Sequence, residues 1–421
     1  MTRRYIVPGR IELVGKHVDY AGGRSLTCAV DLALHVSASP LSDPVIRARS
    51  APHRGLVVMA LEPNAPVQRA AWSEYIAAVA RRFARDFPHF RAGVDIEIRS
   101  ELPASAGLSS SSALIVAVAS ALAGANNAHD DRVWNDALPS VLARAEYFAA
   151  IETGAPFGTF DGEHGVGVRG GAQDPIAIMS ATSNAMSQFS YLPARFERRV
   201  AWPDDYVLAI GVSGVQATKT GNARDQYNRA ADAMRSLVLE WNRATGRGDE
   251  TIADALASGF DAGERLERVA HDQASALGDG YITTRLAQFR EESNVIVPLV
   301  GDAIRDRDFP LLGRLVDRSQ QLAEQALGNQ VPETIALVRS ARELDAVAAS
   351  AFGAGFGGAV WAMVPARNAD AFVDAWRGAY AAVFPQRKAS AQWIVTRPSS
   401  PFREIARDDG LNVPDLNPER T

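Results

Sequence analysis

The chain has 421 residues, 47% of them hydrophobic and 22% charged, with a formal net charge of −5 and a single cysteine, Cys28. That length exceeds what one compact core usually holds, so two domains are expected. The negative balance argues against a broad nucleic-acid or anionic-membrane surface, and one cysteine excludes both an intrachain disulfide and a cysteine-built metal cluster.

The stretch Pro8 to Gly23, PGRIELVGKHVDYAGG, opens like a strand yet gathers Arg10, Lys16, His17 and Asp19 close together. Such a group is either a solvated edge or the floor of a polar small-molecule site. Cys28 to Ser37 and Gly55 to Ala60 read as short strands. Trp72 to Phe87 carries apolar residues three or four apart, the period of a helix. Val94 to Arg99 alternates strictly, as a half-buried strand does. It leads into SELPASAGLSSSSALIVAVASALAGA, a strand, a small-residue loop and a long apolar helix in succession. Residues 138–153 read as helix, whereas 154–174 hold too much glycine for either regular element. Tyr206 to Val212 reads as a buried strand, and several amphipathic helices follow between Arg224 and Ser350. Phe352 to Pro365, FGAGFGGAVWAMVP, is a second glycine-rich loop, between a helix and a strand. Composition shifts near Trp202 to Asp205, which divides the chain into domains 1–203 and 204–421. No internal repeat is evident, and the proline- and charge-rich end is expected to be an extended tail. The N-terminal residues show no apolar leader pattern and no run reaches membrane-spanning length, so a cytoplasmic protein that binds neither membrane nor nucleic acid is expected.

The loop before the long helix suits an anion. Small residues let the backbone approach, the first helical N–H groups lack internal partners, and the helix dipole adds about half a positive charge there. It is not a Walker A loop, because no Gly-Lys-Ser/Thr accompanies it. Serine-rich capping is the plainer reading, although four consecutive serines exceed what one cap requires. GAGFGG formally matches G-x-G-x-x-G, but a helix before it and a strand after it reverse the dinucleotide-binding order. What remains is a tight turn or a close approach of backbones.

Together these segments resemble the galactokinase-like branch of the GHMP kinase superfamily, in order and over nearly the whole chain. PGRIELVGKHVDYAGG is similar to the opening motif G-R-V-N-L-I-G-E-H-T-D-Y-x-G-G, LPASAGLSSSSAL to the phosphate loop P-x-x-x-G-L-S-S-S-A, and FGAGFGGAVWAMV to the third motif G-A-G-x-G-G. WSEYI resembles the W-x-x-Y near the family's adenine pocket. The resemblance implies an α+β fold of two domains with the active site in the cleft between them. It implies an ATP-dependent sugar kinase phosphorylating a monosaccharide hydroxyl, the anomeric one, with Mg²⁺. ATP would lie over Gly107, Leu108, Ser109, Ser110, Ser111 and Ser112 with Trp72 near the base. Ser111 and Glu146, the latter in ARAEYF, would hold the metal. Arg10 matches the arginine beside the catalytic carboxylate, His17 and Asp19 match sugar-binding positions, and Tyr227 follows the Tyr206 strand much as a sugar-contacting tyrosine does.

For the catalytic aspartate of G-x-x-D-Q the chain offers Asp161, in GAPFGTFDG, and Asp174, in GGAQDPIAIMSA. Asp174 is preferred because the segment after it better resembles the family's helix and next strand, which makes 154–169 an insertion. Lys16 is the departure, since the family keeps glutamate there. An ammonium only donates and carries the opposite charge. Pointing into the pocket, Lys16 would suit the carboxylate of galacturonate or glucuronate as substrate; turned elsewhere, it leaves a neutral-sugar kinase. A galactokinase-like sensor that binds sugar and ATP without turnover is the remaining alternative. The expected partners are sugar and ATP, with the chain a monomer or weak homo-oligomer.

Overall fold

The structure, a computed structural model, describes residues 1–51, 53–66, 72–103, 106–216 and 222–405. Seven strands of the first half build one sheet: β1 (Arg3–Val14), β2 (Arg24–Leu41), β3 (Val45–Ser50), β4 (His53–Ala60), β5 (Gly93–Ser100), β6 (Ala185–Ser190) and β7 (Arg195–Ala201). The path runs β1-β2-β5-β3-β4, with β6 also on β2 and β7 beyond it. β3 and β5 pair in parallel, and the other neighbours are antiparallel. β2 outruns the expected Cys28 to Ser37 because both ends find partners, β6 against Arg24 to Thr27 and β5 against Leu34 to Leu41.

Helices α1 (Ser73–Asp86), α2 (Ser110–Ala125) and α4 (Gln173–Ser180) pack on this sheet, and α3 (Val141–Thr153) packs on those helices. α2 lies on β1, β2 and β5 and also touches α1 and α3. Leu114 to Ala119 are all buried, which is why α2 is apolar around its whole circumference instead of along one stripe. The expected helix at 72–87 and strand at 94–99 fall within α1 and β5 to within a residue or two.

The second sheet contains β8 (Tyr206–Val212), β9 (Ala348–Ala351), β10 (Ala359–Pro365) and β11 (Gln392–Thr396), in the antiparallel order β11-β8-β10-β9. Between β8 and β9 run α5 (Asn222–Thr245), α6 (Ala262–Leu277), α7 (Tyr281–Glu291), α8 (Val297–Arg305), α9 (Phe309–Leu322) and α10 (Pro332–Glu343), and α11 (Ala369–Val383) follows β10. π-helical turns, Glu292–Ile296 and Ala323–Leu327, continue α7 and α9. The helix expected to run up to the second glycine loop stops early. Ala348 to Ala351 are buried in β9 against β10 and α9, and this packing overrides alanine's helical preference. A strand still follows the loop, so the dinucleotide reading stays excluded.

The chain leaves the first sheet at Ala201, enters the second at Tyr206, and later returns. β12 (Arg403–Ile405) pairs with β1 at Arg4 to Ile6, so the expected extended tail includes an edge strand; residues 406–421 lie outside the described residues. Among the described residues no helix is long and apolar enough to cross a membrane.

Candidate active site

The end of β1 docks on the loop before α2, the Arg10 N–H donating to the Leu108 carbonyl at 3.2 Å. Side chains alternate along a strand, so Arg10 and Glu12 share a face, and both line a cavity of about 370 Å³. Arg10 is 3% exposed. Its Nε donates to Asp174 Oδ1 at 2.6 Å and its Nη1 to the Gly107 carbonyl at 2.5 Å. Asp174 stands in the first turn of α4, where the helix dipole favours a carboxylate. Its Oδ2 accepts from the Ser109 hydroxyl at 2.5 Å. Burial works against the Arg10 charge, but the Asp174 carboxylate outweighs it and holds the guanidinium above its ordinary pKa. One cation and one hydroxyl thus fix both oxygens of Asp174, and charge-assisted bonds of this kind are the stronger ones.

Ser109, at φ +59°, is the N-cap of α2, yet its side chain makes no capping bond because it is engaged by Asp174. The first N–H groups of α2 therefore stay available beside Ser110, Ser111 and Ser112, which line the cavity. Leu108 is fully buried and contributes its carbonyl to Arg10 instead of lining the cavity. Ala104 and Ser105 of the same loop lie outside the described residues. Trp72 and Tyr75 at the start of α1 line the cavity, as do Gly353 and Ala354 of the second glycine loop. A β-carbon on Gly353, at φ +78°, would come within 3.1 Å of the Gly107 carbonyl. The two glycine loops meet backbone to backbone.

Glu146 is a correction. Its Oε1 accepts from the Ala194 N–H at 2.7 Å, away from the cavity, and burial raises its pKa. The α3 carboxylate that lines the cavity is Glu152, whose Oε2 accepts from the buried Ser112 hydroxyl at 2.7 Å. Residues six apart on a helix stand about 120° apart around its axis, so the two cannot share a face. Among the described residues no group of three or more His, Cys, Asp or Glu side chains is placed to hold a metal ion. The hard oxygen donors at this wall are Ser111, Ser112 and Glu152.

His17 has φ +56°, and both ring nitrogens are engaged. Nε2 lies 3.1 Å from the Ala354 carbonyl and Nδ1 3.1 Å from the Tyr20 hydroxyl. A carbonyl only accepts, so in the neutral ring Nε2 carries the hydrogen and Nδ1 accepts from Tyr20. Its ring lines the cavity, 5.2 Å from that of Tyr227, which α5 brings to the same place. Asp19 Oδ2 accepts from the Gln173 N–H at 3.2 Å. Burial, then the charge of Asp174, pushes the Asp19 carboxyl up to about 6. Glu12 is 3% exposed. Its Oε2 accepts from Gln173 Nε2 at 2.6 Å, and its Oε1 has no hydrogen-bond partner among the described residues. Burial pushes Glu12 up to about 7 against the pull of Lys16 and Arg10.

Lys16 is a second correction. It neither lines the cavity nor reaches solvent: it is 1% exposed and its Nζ donates to Ser319 Oγ at 2.8 Å. Asp161 is exposed and does not line the cavity, its carbonyl accepting from Arg85 at 2.8 Å. The same loop is held to α1 by Arg82 on the Ala155 carbonyl at 2.8 Å and Arg81 on the Gly165 carbonyl at 3.1 Å, which sets Val166 and Val168 into the cavity wall. The residues missed from sequence are Glu12, Glu152 and Gln173, whereas Tyr75 is the tyrosine of the W-x-x-Y match. Glu12 replaces the asparagine of the quoted motif, a departure as visible as that of Lys16. Gln173 precedes Asp174 where the motif has glutamine after aspartate. Glu152 had no local signal.

Residues 4–40 match the galactokinase galactose-binding signature, 74–182 the GHMP kinases N terminal domain, and 302–382 the GHMP kinases C terminal domain. Galactokinase of Chloroflexus aurantiacus is 29% identical over 391 residues, covering 90% of this chain and 88% of that protein. Galactokinase of Mycobacterium bovis is 28% identical over 381 residues, covering 90% and 93%. The crystal structure of Lactococcus lactis galactokinase complexed with galactose matches with a TM-score of 0.75 at 20% identity, over 96% of this chain and 95% of that one. L. major mevalonate kinase in complex with R-mevalonate matches at 0.52 and 13%, over 94% and 96%. The structural matches speak for the α+β fold with its paired N- and C-terminal domains. With relatives aligned along most of their length, the chain carries the N- and C-terminal domains of GHMP kinases together with the galactose-binding signature of galactokinases.

Proposed function

We propose that this chain is an ATP-dependent sugar kinase, transferring the γ-phosphoryl group of ATP to the anomeric hydroxyl of a neutral hexose of the galactose type. The observation that carries this reading is Asp174, held between Arg10 and Ser109 on the wall of a cavity shared by the start of α2, His17 and Asp19. Phosphoryl transfer needs positioning and charge stabilisation more than covalent help. Asp174 orients the attacking hydroxyl and takes its proton, while Arg10 and Ser109 fix the carboxylate's direction. The N–H groups and serines at the start of α2 hold the phosphates, and Trp72 and Tyr75 flank the base. Mg²⁺ takes oxygen ligands and keeps several waters, so Ser111, Ser112 and Glu152 fit it with ATP supplying the rest. When bound, the ion neutralises charge on the β- and γ-phosphates.

The lining argues against a uronic acid. Glu12, Asp19 and Asp174 face the cavity, Arg10 is committed to Asp174 and Gly107, and Lys16 is elsewhere. Such a wall accepts hydrogen bonds from hydroxyls and repels a carboxylate. We assign residues 1–203 and 204–421 to the two domains, and place the enzyme in the cytoplasm as a monomer or weak homo-oligomer. ADP release across a sugar panel tests the reading. Galactose should be turned over at least about a hundredfold faster than galacturonate or glucuronate, a floor well below the roughly 10⁴–10⁵ by which a buried polar site rejects a mismatched substrate. Equal turnover of a uronate, or none of any hexose, would overturn it.

A further inference from the structure

Side chains from the helical second half converge on the backbone of residues 15–17, immediately before the turn that carries Asp19. Glu292, in the π-helical turn after α7, accepts with Oε1 from the N–H groups of Gly15 at 2.7 Å and Lys16 at 3.2 Å. Gln288 Nε2 donates to the Lys16 carbonyl at 3.0 Å. Arg285 Nη2 donates to the His17 carbonyl at 3.0 Å and to the Tyr20 hydroxyl at 3.2 Å, the hydroxyl that in turn donates to His17. Ser319 on α9 closes the circuit, donating to Glu292 Oε1 at 2.8 Å and accepting from Lys16 Nζ at 2.8 Å. Lys16, Arg285, Gln288, Glu292 and Ser319 are each at most 1% exposed.

Three features make this more than packing. His17 is held at φ +56°, a conformation that a residue with a β-carbon keeps only where its surroundings over-determine it. π turns re-aim side chains and are frequent at functional sites, and this one begins at Glu292. A lone buried carboxylate is costly, and the Lys16 ammonium, one hydroxyl away, offsets that cost.

We infer that Glu292 and Lys16 form a positioning pair: Glu292 grips the turn that presents His17 and Asp19 to the sugar, and Lys16 is the cation that allows this carboxylate to be buried. The inference rests on the sugar-kinase reading of the cavity. It gives Lys16 a role other than substrate contact and makes position 16 conditional on position 292. A carboxylate restored at position 16 would face Glu292 with no cation between them. A glutamine at position 292 would keep a carbonyl for the Gly15 N–H and offer an amide donor to that carboxylate.

The test compares wild type, Lys16→Glu, Glu292→Gln and the double variant by sugar KM, ATP KM and Tm. Lys16→Glu should raise the sugar KM by about tenfold or more, leave the ATP KM within about twofold, and lower Tm. The double variant should recover most of both losses. A wild-type sugar KM in Lys16→Glu, parallel rises in both KM values, or a double variant no better than the single would overturn the pair. If Lys16→Glu does not fold, Lys16→Met with and without Glu292→Gln gives the same comparison. Absence of hexose turnover by the wild type would count against the kinase reading instead. The pair would then be judged on recovery of Tm alone, and no recovery would overturn it.

Discussion

Asp174 is bound at both oxygens by groups of different kind, and that sets the expectation for changing it. Asp174→Asn keeps the shape and an acceptor for Arg10, so sugar and ATP affinities should stay within a few-fold. The proton acceptor is lost, and kcat should fall by about 10²–10⁴; steady-state kinetics with binding calorimetry separates the two effects, and normal turnover would move the base elsewhere. Glu12 has its own signature. Burial raises its carboxyl from 4.5 to about 7. A raised carboxyl stabilises the fold while protonated, so the contribution is fully present below about pH 4.5 and lost as pH rises through about 7. Glu12→Gln cannot ionise and escapes that loss. Its Tm relative to wild type should climb between about pH 5 and about pH 8, by an amount on the order of 2 kcal/mol in stability, and thermal melts across that range showing a constant difference would refute it. Both residues also mark the limit of reading from sequence. That positions 12 and 16 depart from the motif is visible in the string. Which side chain faces the cavity is not, because Lys16 is turned by Ser319, 303 positions away.

At the level of elements, the short-range patterns were legible and the choice of face was not. The alternation of β5, the period of α1 and the small-residue loop before α2 are all local, and the structure has them where periodicity puts them. β9 and the cavity-lining carboxylate of α3 depend on what packs against them, which a local window does not contain. The glycine-rich segment after α3 shows both sides. Its glycine content ruled out regular structure, but its place as a cavity wall comes from arginines on α1. At its end, a β-carbon on Gly171 would stand 2.4 Å from Asp19 Oδ2. Gly171→Ala must therefore displace the Asp19 carboxylate. The sugar KM should rise by about tenfold, the worth of a charged hydrogen bond, with the ATP KM little changed; isothermal titration with each ligand checks it, and an equal loss of both would mean general misfolding.

For the whole molecule, length pointed to two bodies and the composition shift fell between Trp202 and Asp205, where the chain does pass from one sheet to the other. The return passage after β11 left no sequence sign, because β12 is three residues long and gains its place only by pairing with β1. The two passages run side by side. Asn184 accepts from the Trp202 N–H at 2.9 Å and donates to the Pro398 carbonyl at 3.0 Å, and Arg397 donates to the carbonyls of Asp204 at 2.8 Å and Tyr206 at 3.2 Å. Two sheets tethered by a pair of adjacent, mutually bonded passages of chain are held in fixed register where the chain crosses. One buried core also runs through both, from Ile11 and Val30 of the first sheet to Ile210 and Trp361 of the second, so any relative movement would have to part that packing. The ligand cavity, lined by Arg10 and Asp174 from one half and by Tyr227 and Gly353 from the other, is thus walled by two halves that are packed together as well as tethered.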